Sequence, residues 1–455
     1  MVRTGLRWAV CAAAIAAALG LPFSAAAETL DSALAQAYRN NPTLNAQRAS
    51  MRATDETVPQ ALSNYRPRVT GTFDTGYQHF ESISTTGGTF TQTGTNISPR
   101  GGNIGLVQTV YNGQRSGNLT RQAESSVLAG RETLRTTEQT VLLDAATAYM
   151  NVLRDTAILD LQRRNVQVLQ EQLKQARDRF NVGEVTRTDV AQAEARLAAS
   201  QSQVLAAEAT LKASQATYRR VIGAEPVNLR AGMPVDRLSP RSLEASIEQG
   251  RVEHPTVTSS QYTVDAAQHA VKAAEGTLYP TVTVESSVQR RWDTQPGVSD
   301  QMTGTVLGRV AVPLYQGGAI TSRVRQAIAN QERFRQDLET ARRNAQLLAQ
   351  TSFSGVTNGV AQVRAFEQAL ASAQVSYESN KLGLEVGVRT NLDVLNQQQQ
   401  VFQTRFNLAQ SYYNFVINNL RLKQAVGTLT DADVEQINRN LGADRKSTRL
   451  NSSHH

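Results

Sequence analysis

Cysteine is all but missing from this chain of 455 residues: Cys11 is the only one, inside an apolar N-terminal run. The rest of the chain has no thiol to offer, which excludes disulfides and thiolate metal sites. Val10 before Cys11 is not the small residue that lipoprotein processing needs, so no lipid anchor is expected there. Histidine is nearly as scarce. His79, His254, His269 and the terminal pair His454-His455 form no spaced ligand cluster, and metal chemistry has no support. Aromatic residues make up 5% of the chain, too few for large aromatic-packed cores. The 12 prolines are unevenly placed, with none between Pro99 and Pro226 and none after Pro313. Two proline-free stretches of well over 100 residues predict long helices. No nucleophile–base pair stands out either, so an enzyme is not expected.

The formal net charge of +8 is concentrated at the two ends. Arg3 and Arg7 precede the apolar run Trp8 to Phe23, which ends in Ser24-Ala25-Ala26-Ala27 before Glu28. That pattern predicts a signal peptide over residues 1–27, removed on export. The tail 443–455 breaks with everything upstream, resembles translated adapter sequence, and is given no function. Removing the leader's two arginines and the tail's two net positive charges leaves +4 over about 415 residues. No basic stripe remains, which excludes a nucleic-acid partner.

What is present is a repeat. Val107-Gln108-Thr109-Val110-Tyr111-Asn112-Gly113 is echoed by Ala311-Val312-Pro313-Leu314-Tyr315-Gln316-Gly317, at an offset of 204. The same offset pairs Arg121-Gln122-Ala123 with Arg325-Gln326-Ala327, Val182-Gly183 with Val386-Gly387, Asp189-Val190 with Asp393-Val394, and Gly223 with Gly427. Upstream the offset is 213, pairing Asn41-Pro42 with His254-Pro255 and Pro67 with Pro280. The chain is thus read as one unit written twice, residues 28–235 and 236–430, followed by a short segment 431–442. The first copy is nine residues longer between Pro67 and Tyr111 than the second between Pro280 and Tyr315.

The proline-free segments carry heptads. Val152, Leu159, Val166, Leu173 and Phe180 recur every seven residues, with Leu169 and Ala176 between them. After the turn at Gly183 the series resumes as Val190, Leu197, Val204, Leu211 and Tyr218, with the small residues Ala193, Ser200, Ala207 and Ser214 as companions. The second copy repeats this from Val356 to Leu384 and from Val394 to Leu422. Such runs predict coiled-coil helices over about 116–181, 188–222, 320–384 and 391–425. Small and polar residues at alternate core positions imply a narrow seam and close helix approach.

Between the helices the period changes to two. Arg68 to Phe80 and Thr281 to Gln289 each alternate an apolar with a polar face. Loops are expected over Glu81–Gly102 and Arg290–Met302, with return strands near Asn103–Tyr111 and Thr303–Leu314. The hairpins then span about 68–112 and 281–315. Strands of about 10 residues with one apolar face suit a membrane barrel. Tyr65, Tyr111, Tyr279 and Tyr315 fall at the strand ends next to the helices, and Trp292 at the far end of the third strand, as an interfacial girdle would require. Four strands cannot close a barrel, so other copies must satisfy the open edges. A soluble periplasmic coiled-coil protein is the rival reading, and it would leave the apolar strand faces uncovered.

These features together resemble the TolC family of outer-membrane channels, over essentially all of residues 28–442. The motif Val386-Gly387-Val388-Arg389-Thr390-Asn391-Leu392-Asp393-Val394-Leu395 is the most specific, with Val182 to Val190 as its weaker first-copy partner. Asn414-Phe415-Val416-Ile417-Asn418-Asn419-Leu420 followed by Gly427-Thr428-Leu429-Thr430 is also typical. The resemblance implies an α plus transmembrane β fold: a homotrimer whose 12-stranded β-barrel continues into a long α-helical coiled-coil tunnel through the periplasm. It implies an exit duct in the outer-membrane lipid, without cofactors. The duct would dock a periplasmic adaptor (membrane fusion protein) and an inner-membrane transporter of RND, ABC or MFS type. Drug efflux and type I protein secretion both fit. It further implies that the turns at Gly183 and Gly387 form a closed tip, with Arg389 tied to Thr188 and Asp189 and with Asp393 in a luminal acidic ring. Leu384 and Asn396 depart from the family pattern, where a tyrosine and a second aspartate are expected, which implies a looser gate and a less charged ring. Thr186…Asp189 and Thr390…Asp393 also have the spacing of helix caps.

Overall fold

The computed structural model describes residues 29–229, 242–295 and 298–429. The expected leader (1–27), the segment 431–442 and the tail 443–455 lie outside the described residues. The chain divides into two units. One comprises the described parts of Met1–Asn45, Thr137–Gly250 and Gln346–His455, and the other comprises Ala46–Thr136 and Arg251–Ala345.

The first unit is helical. Helix α1 (Leu30–Asn40) begins at Thr29, whose hydroxyl accepts the Ser32 amide while Ser32 answers in a capping box. Helix α2 (Pro42–Asp55) starts on Asn41, whose side-chain oxygen accepts the amides of Thr43 and Leu44. The Asn41 amide group also donates to the Val221 carbonyl at 3.1 Å, tying this corner to a distant part of the chain. The long helices are α4 (Arg115–Asn181), α5 (Arg187–Ile222), α8 (Ala319–Glu385) and α9 (Asn391–Ala425), with α4 as far as Thr136 and α8 as far as Ala345 belonging to the second unit. At 67 residues each, α4 and α8 are about 100 Å long.

Most of this unit's core is one cluster in which Leu30, Leu34 and Ala37 of α1 meet Tyr149 and Val152 of α4, Tyr218 and Ile222 of α5, Val356 of α8, and Phe415 and Leu420 of α9. Tyr149 and Tyr218 are fully buried, with ring centroids 6.5 Å apart. Beyond it the seam narrows to Leu173, Ala176 and Ala193, with Val190 and Leu197 packed against them. Val152, Leu159, Leu169, Val394, Val401, Phe415 and Leu422 of the heptads are buried. Phe180, read as a seam residue, is 43% exposed instead. It lies in the last turn of α4, where the chain is already leaving the helix.

The second unit holds the strands. A four-stranded antiparallel sheet has the order β1 (Arg68–Thr75), β4 (Arg100–Asn112), β5 (Thr281–Gln295), β6 (Val298–Ala311). The short helix α3 (Thr57–Leu62) precedes β1, while α6 (Leu243–Glu253, of the first unit as far as Gly250) and α7 (Pro255–Glu275) precede β5. Helix α7 repeats the α2 start: His254 before Pro255 accepts the Thr256 amide at 3.2 Å. Burial lowers the pKa of His254, favouring the neutral ring that this acceptor role requires.

Register separates two chemistries. Val69 opposite Leu106, Ile104 opposite Val288, and Val282 opposite Val310 share one face. Thr72 opposite Asn103, Asn103 opposite Gln289, and Gln289 opposite Thr303 share the other. The polar face carries ion pairs, Arg291 to Asp74 at 2.9 Å and Arg309 to Glu285 at 3.0 Å. The apolar face lies largely open, with Phe73, Ile104, Met302, Val306 and Val310 exposed.

Two expected loops are corrected by the structure. Within Glu81–Gly102 the chain forms most of a second hairpin, β2 (Gln78–Thr86) paired with β3 (Thr89–Ile97). The span is rich in threonine, whose β-branched side chain favours strands. Gly87 and Gly88, at φ 61° and 86°, make the two-residue turn that tight hairpins prefer. The strand read as Arg68 to Phe80 stops at Thr75, where the Gly76 amide donates to the Pro99 carbonyl at 2.9 Å and starts the second hairpin. Arg290–Met302 is likewise mostly strand: β5 runs to Gln295 and β6 begins at Val298. Among the described residues no helix is long and apolar enough to cross a membrane.

Candidate functional site at the helical tips

Both helical hairpins turn through the same local design. At the first tip Gly183 has φ 81° and its amide donates to the Phe180 carbonyl, while the Glu184 amide donates to Arg179, both at 2.9 Å. At the second, Gly387 has φ 80°, its amide reaches Leu384 at 3.2 Å, and the Val388 amide reaches Gly383 at 2.9 Å. This is the paired bond pattern of a helix ended by a left-handed residue, and glycine adopts that conformation without a Cβ clash.

The outgoing helices start alike. Asp189 accepts from the Thr186 amide at 2.9 Å and hydroxyl at 2.7 Å, and its own amide donates to the Thr186 hydroxyl. Asp393 does the same with Thr390, at 3.0 and 2.8 Å. The Thr390 amide, then its hydroxyl, and least the charge of Arg389 hold the Asp393 carboxyl below its usual range. The residues expected from helix-cap spacing therefore do cap their helices.

The tips differ in where they use arginine. Arg179 of the first donates to Glu184 at 2.9 Å, within its own turn. In the second, the position 204 residues on is Gly383, and the stem of Arg389 lies against it. A Cβ built on Gly383 would sit 2.6 Å from the Arg389 Cγ. Thr188 and Arg389 are both exposed. Among the described residues no hydrogen bond or ion pair joins Arg389 to Thr188 or Asp189 within the chain. Between the tips lies a groove of about 370 Å³, lined by Arg179 and Val185 on one side and by Leu384, Glu385, Asn391 and Val394 on the other.

Sequence reasoning missed Arg196. From α5 it reaches the other hairpin, donating to the Leu395 carbonyl at 3.0 Å and to the Asn396 side-chain oxygen. Gln172 of α4 bonds Gln398 of α9 in the same region. The repeat pairs Arg196 with Gln400, so self-comparison gives it no prominence.

The candidate interface aromatics belong to the second unit. Tyr65 closes a 3-10 turn (Ser63–Tyr65) just before β1, and Tyr279 follows the matching turn Gly276–Leu278 before β5. Tyr111 lies in β4 beside a register irregularity, Tyr315 lies beyond the end of β6, and Trp292 lies in β5 under the guanidinium of Arg290. All four tyrosines are exposed.

The sequence matches the outer membrane efflux protein family over residues 33–224 and 246–428. It is 34% identical to the outer membrane efflux protein BepC of Brucella suis, across 90% of this chain and 87% of that one. It is 26% identical to the outer membrane protein TolC of Escherichia coli, across 91% and 85%. Its fold matches the CmeC outer membrane channel of Campylobacter jejuni with a TM-score of 0.78, at 14% identity over 91% of this chain and 90% of that one. With paired helical hairpins, a sheet of one polar and one apolar face, and this match to both repeats, the chain belongs to the outer membrane efflux protein family and is an outer-membrane exit duct.

Proposed function

We propose that three copies of the chain close a 12-stranded barrel and a helical tunnel, each copy adding its two repeats, 28–235 and 236–430. The observation that carries this is the four-stranded sheet, whose outer strands β1 and β6 each keep an open edge and whose one face is apolar. Open edges in lipid leave backbone groups unsatisfied, and closure between copies satisfies them. The polar face then lines the pore, and Tyr65, Tyr111, Tyr279, Tyr315 and Trp292 sit at the membrane interfaces. The duct conducts passively and takes its cargo from a periplasmic adaptor and an inner-membrane transporter. The name of BepC favours efflux over protein secretion. A deletion strain should become drug-sensitive while keeping its secreted proteins; the reverse pattern would overturn the efflux assignment.

The tips form the gate. Arg389, whose charge acts on Asp393 but whose side chain forms no hydrogen bond or ion pair among the described residues, is the group that ties one hairpin to Thr188 and Asp189 of a neighbouring copy. Asp393 supplies one carboxylate per copy around the pore, and mutual repulsion among three of them favours opening. In planar bilayers the Arg389→Ala channel should conduct severalfold more than wild type at rest. Unchanged conductance would sink the gating role.

A further inference from the structure

Four consecutive residues near the start of α9 are bound to all three other long helices. The Leu395 carbonyl and the Asn396 side chain accept from Arg196 of α5. Gln397 accepts from Ser376 of α8 at 3.1 Å, and Gln398 accepts from Gln172 of α4. The α8 bond lies within one hairpin, whereas the α4 and α5 bonds cross between hairpins. Leu395 itself is only 3% exposed, so its carbonyl lies where water competes poorly for the guanidinium.

Arg196 differs from the glutamine contact in kind. A guanidinium is planar and always charged, and its two terminal nitrogens diverge at fixed angles. Bound to neighbouring residues of α9, it resists both sliding and rotation of that helix against α5. A single amide bond such as Gln172 to Gln398 resists neither strongly. Asn396 completes the fork as a neutral acceptor, so the contact adds no second charge. Asp393, three residues before Asn396, and Arg389, seven before it, are carried on the segment that this fork holds.

We infer that Arg196 is a positioning residue of the duct: it latches α9 to α5 and must let go before the second hairpin can move away from the first. The inference rests on the reading of the tips as the gate. It also explains what Asn396 does in this chain, which is to receive the latch.

The test is made on the full-length channel, with Arg389→Ala as reference. Arg196→Ala should raise open-state occupancy at rest about tenfold, as expected for losing a charge-assisted bond. Arg196→Lys should fall between the two, because an ammonium on a flexible stem reproduces a fork poorly. Asn396→Ala should raise resting conductance by removing the side-chain acceptor, and in the Arg196→Ala background it should add nothing further. A merely structural arginine would not produce that dependence. If Arg389→Ala opens the channel and Arg196→Ala does not, the latch is overturned and the gate stands. If neither variant changes conductance, the gate reading fails and the latch with it. As a readout independent of conduction, spin labels at Gln192→Cys and Gln399→Cys report the spacing of α5 and α9. Their distance distribution should broaden in Arg196→Ala, and an unchanged distribution would overturn the latch.

Discussion

The two tips share a frame and differ in where they place an arginine. Each ends its incoming helix on a left-handed glycine and starts its outgoing helix on a threonine–aspartate box, at positions 204 residues apart. In the first, Arg179 and Glu184 form an ion pair inside the turn. In the second, Gly383 and Val388 stand at those positions, and arginine has moved to position 389. The first tip satisfies its charge locally. In the second, the missing side chain at Gly383 makes room for the arginine stem. The same turn is built twice, and the copies have diverged around it, at Arg179/Gly383, Glu184/Val388 and Val185/Arg389 among other positions.

The strongest way to break this asymmetry is Gly383→Leu. The new side chain cannot coexist with the Arg389 stem, and the overpacking should cost about 1–3 kcal/mol in local opening of the second tip. Hydrogen exchange at the first α9 amides would read the loss, and exchange at the first tip should stay as it was. Equal protection at the second tip would mean that the contact between Arg389 and Gly383 does not hold the turn.

The caps test the shared frame instead. Thr186→Ala and Thr390→Ala should each weaken their tip by about 1 kcal/mol, since each removes one acceptor from an N-terminal amide. Similar losses at Asp189 and Asp393 amides would sharpen the equivalence. A difference well beyond the usual spread of cap energies would show that the boxes do unequal work.

The smallest effect expected is a pH dependence at the second tip. A carboxyl whose folded pKa is depressed stabilises the fold above its unfolded value and loses that contribution as pH falls through the folded one. For Asp393 the contribution is complete above about 3.8, the ordinary aspartate value, and fades with further acidification. Exchange at the start of α9, corrected for intrinsic rates, should rise there in the wild type. It should not rise in Asp393→Asn.

Much of the frame was legible in advance because it is written in short-range chemistry. A threonine three residues before an aspartate, a glycine after a long apolar series, and a proline after asparagine or histidine each determine their surroundings within a turn. The 204-residue offset then placed the two tips in correspondence. The hairpin of β2 and β3 was missed because its threonine-rich strands lack the apolar alternation by which β1 and β5 were recognised. Phe180 kept the heptad spacing but not the burial, which spacing alone does not reveal.

Arg196 was illegible for a different reason. Its two acceptors, Leu395 and Asn396, lie about 200 residues away, and one of them is a backbone carbonyl that any residue could have supplied. Local sequence determined the helices, the turns, the caps and the family, since each depends on neighbours within a few residues or on similarity along the chain. Which side chains bridge the two hairpins, which arginine stays inside its own turn, and which sheet residues share a face across four strands were decided by packing and register. Those relations join residues far apart in the chain, where spacing carries no information about distance.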